Sequence, residues 1–303
     1  MAFYAFTFRR GDRIVTSVAD YISNYIAYIQ VAERTGAEIV TVPNDDDGQV
    51  SVEALRELLD ERVKLVAVTH VPTNSGLVNP VPEVGAVTRP AGIPYLVDAC
   101  QSAGQMPLDV EAIGCDALSA TGRKFLRGPR GTGFLYVRSG LLERLEPPLL
   151  DMRAAEWIAP DRYELRRDGR RFEEWEQDYA GKVGLARAID YALEWGIDAI
   201  WVRVHELGER LRTLLGEVDG VTIYDPGAVR CGIVTFGVDG TSADRIKEAL
   251  AREHINVTVS ATSSAVIDAL ERKLPNLVRA SVHYFNTEDE LQRAVECVRR
   301  AAR

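Results

Sequence analysis

Two stretches decide the fold: Ile93-Pro-Tyr-Leu-Val-Asp98, running on as Ala99-Cys100-Gln101-Ser102, and Ser119-Ala-Thr-Gly-Arg-Lys-Phe-Leu-Arg-Gly-Pro-Arg-Gly-Thr-Gly133. The first is an apolar run that ends on an acid. The second holds one lysine, Lys124, between a small-residue turn and a glycine-punctuated basic loop, directly before the apolar run Phe134-Leu-Tyr-Val137. Upstream, apolar runs and helix-like stripes alternate. Ile14-Val-Thr16 and Ala37–Pro43 read as strands flanking a helix that runs up to Gly36, and Leu65-Val-Ala-Val-Thr-His70 is a buried strand. Ser51 caps a helix predicted to reach Asp60, and a helix from about Val81 breaks near Pro90. Strand–helix–strand alternation of this kind predicts a mostly parallel sheet covered by helices, with its working groups at the carboxyl ends of strands. Asp98, the Thr69–Ser75 turn and the Lys124 loop all fall there.

Beyond residue 150 the character changes. Ala154–Gln177 reads as irregular, and its run Arg166-Arg-Asp-Gly-Arg-Arg171 as a solvated face. Tyr179–Trp195 and Ile200–Val218 read as helices. Short strands at Val221–Ile223, Gly232–Phe236 and Asn256–Val259 then alternate with helices over Ala243–Glu253 and Glu288–Ala302. The expected class is α/β: a large domain over 1–197 built on a mostly parallel sheet, and a smaller α+β domain over 198–303.

Composition narrows the function. The chain is 46% hydrophobic and 27% charged with a formal net charge of -9, which argues against nucleic acid or anionic membrane as partner. No apolar stretch approaches the ~20 residues that span a bilayer. Cys100, Cys115, Cys231 and Cys297 are widely spaced and form no CxxC pair, and no histidine spacing suits a metal. They read as reduced thiols of a cytoplasmic protein. An acid at one strand end and a lysine in the next such turn are what pyridoxal phosphate chemistry requires. The lysine offers an amine for a Schiff base, and the carboxylate keeps the pyridine nitrogen protonated so that the ring acts as an electron sink.

These residues resemble the class V aminotransferase family of fold type I pyridoxal phosphate enzymes, which includes cysteine desulfurases. Val97-Asp98-Ala-Cys-Gln101-Ser102 resembles the family's strand-end acid and glutamine, which meet the pyridine nitrogen and the ring's phenolic oxygen. Thr121-Gly-Arg-Lys124 with Gly128-Pro129 and Gly131-Thr-Gly133 is similar to the Schiff-base turn; Arg123 stands where desulfurases have a phosphate-binding histidine. The resemblance gives phosphate to Thr121 and Arg123, and a ring over the pyridine to Tyr21 of Ser17-Val-Ala-Asp-Tyr-Ile-Ser-Asn24. In His70-Val-Pro-Thr73-Asn74-Ser-Gly76 it gives a cofactor-holding role to either Thr73 or Asn74. In Val278-Arg279-Ala-Ser281 it gives Arg279 the substrate's α-carboxylate, which a guanidinium fork matches bidentately. The competing readings are a core tyrosine for Tyr21, a satisfied strand-end histidine for His70 and a surface arginine on an edge strand for Arg279.

The family's mobile cysteine has no counterpart in Thr258-Val-Ser-Ala-Thr-Ser-Ser-Ala265. That departure, with Arg171-Phe-Glu-Glu-Trp-Glu176 and Arg279–Thr287, is closest to a branch of hercynylcysteine sulfoxide lyase and related cysteine C–S lyases. The resemblance then implies a homodimer acting on a small amino acid. Lys124 as base would abstract the α-proton, and β-elimination would give aminoacrylate and then pyruvate with ammonia. An epimerase or aminotransferase begins with the same step and is the alternative. Relative to the family the chain begins late: Met1-Ala-Phe-Tyr reads like an internal helix, and the family's Gly/Thr phosphate turn has no match. A truncated, non-catalytic member is therefore the reading of another class.

Overall fold

The apolar runs and capped helices assemble into two sheets with helices packed on them, in a computed structural model that describes residues 2–302. In chain order the first half comprises β1 (Arg13–Ser17), α1 (Ile22–Thr35), β2 (Glu38–Val42), α2 (Val52–Leu58), β3 (Val63–Thr69), α3 (Val81–Thr88), β4 (Tyr95–Asp98), α4 (Val110–Ile113), β5 (Ala117–Thr121), β6 (Gly133–Val137) and α5 (Ser139–Leu142). The second half comprises β7 (Ala155–Ala159), β8 (Arg162–Leu165), α6 (Tyr179–Trp195), α7 (Ile197–Gly216), β9 (Val221–Ile223), β10 (Ile233–Val238), α8 (Ala243–Arg252), β11 (Thr258–Ser260), α9 (Val266–Glu271), β12 (Leu277–Ser281) and α10 (Glu288–Ala301).

The large sheet has the order β2-β1-β3-β4-β5-β6. Its first five strands are parallel, and β6 returns antiparallel to β5. Largely apolar β3, buried from Leu65 to Thr69, lies in the middle because a strand covered by helices on both faces has no solvent face to make polar. Register brings Thr69 and Asp98, at the carboxyl ends of β3 and β4, beside Ser119 in the middle of β5. The sheet's core runs from Val15 through Val66, Val68 and Val97 to Leu118.

Helix boundaries follow their caps. Gly36, at φ 77°, ends α1 in the left-handed region. Ser51 accepts from Ala54 N–H to start α2, and Thr287 with Glu290 closes a capping box on α10. The second sheet is antiparallel, β11-β12-β10-β9, and packs on α7, α8 and α10.

Two local expectations and one competing reading need correcting. The stretch from 154 to 177 is not wholly irregular, since β7 and β8 pair as a hairpin there. Nor is the charge run Arg166–Arg171 all solvated: Arg171 is buried and donates to the carbonyls of Arg166, Leu142 and Leu145. Unpaired helix-end carbonyls need donors, and a guanidinium carries five. And Arg279 does not lie on an edge, because β12 is flanked by β10 and β11.

Gly104, at φ 91°, lets the turn after β4 touch the Lys124 loop. A Cβ there would come within 2.6 Å of Leu126 N and 2.7 Å of the Phe125 carbonyl carbon. Gly104→Ala would gain at most ~1 kcal/mol from a stiffer unfolded chain. Left-handed strain and displaced backbone outweigh that, so urea unfolding should show a net loss of about 2–4 kcal/mol.

Candidate active site

The strand ends of the large sheet and strand β12 of the small one enclose a cavity of about 320 Å³. Six of the residues singled out by sequence line it: Tyr21, Thr73, Gln101, Arg123, Lys124 and Arg279. Lys124 sits in the β5–β6 connection, which backbone bonds shape tightly. Gly122 N–H donates to Thr132 O at 2.8 Å, Gly128 N–H to Gly122 O at 2.7 Å, and Arg127 N–H to Lys124 O at 2.9 Å. A Cβ on Gly122 would meet Thr132 Oγ1 at 2.5 Å, so a side chain at 122 is excluded.

Burial lowers the Lys124 pKa from the ordinary lysine value, helped by the cations Arg279 and Arg123 and opposed by Cys100 and Asp98. An amine held partly dry is a neutral nucleophile and base over a wider pH range. Its Nζ stands 5.8 Å from the centroid of the Tyr21 ring.

Gln101 is buried and donates from Nε2 to Thr73 Oγ1 at 2.9 Å. Of the two residues open for that loop, Thr73 reaches the cavity; Asn74 is buried beside it and donates to Ala261 O at 3.4 Å. Thr121 turns its hydroxyl to Thr132 O at 3.4 Å and is outside the cavity wall. Arg123 is exposed at the rim.

Asp98 lies beyond this wall, facing a second cavity of about 190 Å³ with Asn24 and Tyr28. Its carboxylate accepts from Asn24 Nδ2 at 2.9 Å and from Cys100 N–H at 2.9 Å.

Arg279 decides what the cavity wants. Its Nε is buried with no hydrogen-bond partner among the described residues, and burial pushes the guanidinium down from its ordinary value. A buried cation without an acceptor is costly, and an anionic ligand removes that cost. An amine, a strand-end carboxylate and an unpartnered guanidinium in this arrangement suit pyridoxal phosphate and an amino acid.

Phe125, Ser281 and His283 also line the cavity and were not singled out by sequence. His283 N–H donates to Asn286 Oδ1 at 2.8 Å, while the ring's Nδ1 accepts from Tyr284 N–H at 3.0 Å. Nε2 must then carry the ring proton, and it lies 3.0 Å from Phe125 O. The imidazole is therefore neutral, and burial lowers its pKa to about 4. Its only sequence signal was its place between Ser281 and Asn286 in the arginine segment.

The parallel sheet with an acid and a lysine at neighbouring strand ends is the architecture of fold type I pyridoxal phosphate enzymes. Comparison with known proteins agrees. The family model for aminotransferase class-V matches residues 1–294. A probable cysteine desulfurase of Methanothermobacter thermautotrophicus is 32% identical over 289 residues, covering 94% of this chain and 72% of the relative. The apo cysteine desulfurase of Thermococcus onnurineus NA1 superposes with a TM-score of 0.90 at 30% identity, covering 97% of this chain and 73% of that one. The cystine C–S lyase C-DES, solved with its product cysteine persulfide, gives 0.85 at 25% identity, with 99% and 77% covered. The chain belongs to the class V aminotransferase family, whose members are pyridoxal phosphate enzymes.

Burial also lowers the pKa of His70 to about 4. Both histidines bind fewer protons folded than unfolded between about pH 6.5 and about 4, so stability falls as pH drops through that window. The limit is of the order of 3 kcal/mol for each. His70→Gln/His283→Gln should show a flatter dependence of unfolding free energy on pH between 6.5 and 5 than the wild type, measured by urea titration.

Proposed function

We propose that this chain is a lyase that cleaves the C–S bond of a cysteine conjugate or its S-oxide by α-proton abstraction and β-elimination. The observation that carries this reading is the pairing of Lys124 and Arg279 in one cavity beside a loop with no thiol. That loop, β11 and the turn Thr262–Ser264, holds serines, threonines, Val259 and Ala261, and no cysteine. Of the four cysteines, Cys100 is nearest the lysine. Burial and the neighbouring Asp98 raise its pKa to about 12, which keeps the thiol protonated and a poor sulfur acceptor. Cys231 is fully buried and pushed up to about 11. Among the described residues no cysteine stands in that loop to take sulfur as a persulfide, and on this reading the leaving thiol departs free.

Bound pyridoxal phosphate supplies the electron sink that makes the substrate's Cα–H acidic. Asp98 would hold the ring nitrogen's proton, with its carboxylate already fixed by two donors. Tyr21 would lie against the ring, and Gln101, steadied by Thr73, would meet its phenolic oxygen. Thr121 and Arg123 are the residues assigned to phosphate. Arg279 takes the α-carboxylate with a fork that has no other partner among the described residues. Lys124 accepts the α-proton at Nζ. Overall, a conjugate R–S–CH2–CH(NH3+)–COO- and water give R–SH, pyruvate and ammonium. Four free cysteines suit a reducing compartment, the cytoplasm.

The division into a large domain over 1–197 and a small one over 198–303 belongs to the same proposal, with Arg279 brought to Lys124 across it. So does a homodimer. Trp157 on the β7–β8 hairpin, with Trp175, Tyr179 and Val183, is exposed, and a second copy would cover them. Sedimentation should show a dimer that Trp157→Arg weakens; a wild-type monomer would sink this part.

Incubation of the holoenzyme with cysteine conjugates should give pyruvate and free thiol in equal amounts, and Lys124→Ala should abolish both. Alanine as product would instead mean desulfuration. A keto acid retaining the side chain would mean transamination, and racemised substrate epimerisation.

A further inference from the structure

Behind Asp98 lies a second carboxylate that the proposed chemistry does not use. Asp20 is buried between the end of β1 and the start of α1. It accepts four hydrogen bonds: from Thr16 Oγ1 at 2.5 Å, Thr69 Oγ1 at 2.5 Å, Tyr21 N–H at 2.6 Å and Asn24 Nδ2 at 3.2 Å. The same Asn24 nitrogen donates to Asp98 Oδ2 at 2.9 Å. One amide group thus spends its two protons on two carboxylates. Because both neighbours are acceptors, the amide nitrogen, and not its oxygen, must face them. Thr16 bonds the Oδ2 of Asp20 and Thr69 the Oδ1 that Asn24 also uses, so Asp20 ties β1, β3 and the first turn of α1 to one point.

We infer that Asp20 and Asn24 are positioning residues that aim the Asp98 carboxylate at the cofactor and seat Tyr21 in the cavity. Tyr21 and Asn24 are the two outputs of one buried anchor. Through the Tyr21 peptide Asp20 fixes the ring beside Lys124, and through the Asn24 amide it fixes the acid. The carboxylate plane of Asp98 is set by Asn24 on Oδ2 and Cys100 N–H on Oδ1. Removing either donor lets the plane rotate away from a single productive direction. Burial pushes the Asp20 carboxyl up from its ordinary range and the four donors pull it back. The ionisable groups that act on Asp20 or Asp98 are Lys124, Cys100 and Tyr28. Of these only Lys124 can become a cation, and it acts on Asp98 without a direct ion pair, which leaves the two hydrogen bonds from Asn24 and Cys100 N–H as the contacts that orient the carboxylate. The inference rests on the reading of Asp98 as the partner of the cofactor's ring nitrogen.

Two measurements test it. The first uses cofactor-free, 15N-labelled protein, with the Asn24 side-chain amide assigned by its loss in Asn24→Leu. Asp98→Asn should move and deprotect one amide proton, and Asp20→Asn the other. Where Asp20→Asn does not fold, Thr69→Val, which removes a donor from the same Asp20 oxygen that Asn24 uses, should move the second proton instead. The second measurement is the Kd of pyridoxal phosphate by absorbance titration. Asn24→Leu should bind roughly tenfold to a hundredfold more weakly than wild type, the value of a hydrogen bond to a charged group. Asn24→Asp sets a third carboxylate between two, and like charges keep its proton on to higher pH. Its Kd relative to wild type should therefore improve several-fold as pH falls from 8 to about 6, which a general loss of packing would not produce. Asn24 protons indifferent to both carboxylates would overturn the bridge. An Asn24→Leu Kd within twofold of wild type would overturn its role in aiming Asp98. Failure of the wild type to take up pyridoxal phosphate would instead sink the reading of Asp98, while the amide spectra still decide the bridge.

Discussion

The ion pair between Arg212 and Asp225 holds the two halves of the site at their working distance. Asp225 has no exposed side-chain surface and accepts from Arg212 Nε at 2.8 Å, Gly76 N–H at 2.9 Å and Thr235 N–H and Oγ1. Arg212, on α7, also donates to the carbonyls of Cys231 and Ile233. The knot therefore joins the loop after β3, which carries Thr73, to β10, which pairs with β12 and so places Arg279. A Cβ on Gly76 would lie 2.1 Å from the Arg212 guanidinium, so the approach needs glycine. A buried pair of this kind adds little stability over an apolar substitute of the same shape, yet removing one partner costs about 3–5 kcal/mol. Geometry, more than net stability, is what it supplies.

Burial sets the chemistry inside that frame. Lys124, Cys100 and His283 are all pushed toward their neutral forms, chiefly by loss of water. Arg279, unpartnered at Nε, and Arg123 at the rim are the guanidiniums that the cavity offers an anionic ligand.

Much of this was legible in the sequence because it is local. The apolar runs of β3 and β4, the cap at Ser51 and the glycine ending α1 are decided by neighbouring residues, and the structure has them within a few positions. The β7–β8 hairpin was not legible because it is an exposed ribbon with no apolar alternation to mark it. Arg171 looked solvated because the carbonyls that bury it come from α5 and the turn after it, more than twenty residues upstream. Thr73 and Asn74 could not be told apart by spacing; β-turn geometry sends one into the cavity and the other toward Ala261. Asp20 and Asn24 stand in the stretch that carries Tyr21, and nothing in a single sequence marks two carboxylates as sharing one amide.

The lysine turn closes on itself: Thr121 and Thr132, which bond across it, are eleven residues apart. The contact from His283 to Phe125, which brings the Arg279 segment down on that turn, spans 158 residues. Loop-closure entropy makes the second contact dearer by about 2 kcal/mol. The amine-bearing hairpin can thus form early and survive local opening, whereas carboxylate recognition waits for the chain's far end to return. A partly unfolded molecule would present a reactive amine with no substrate selectivity, which makes the late-docking β12 segment the guardian of fidelity in this fold.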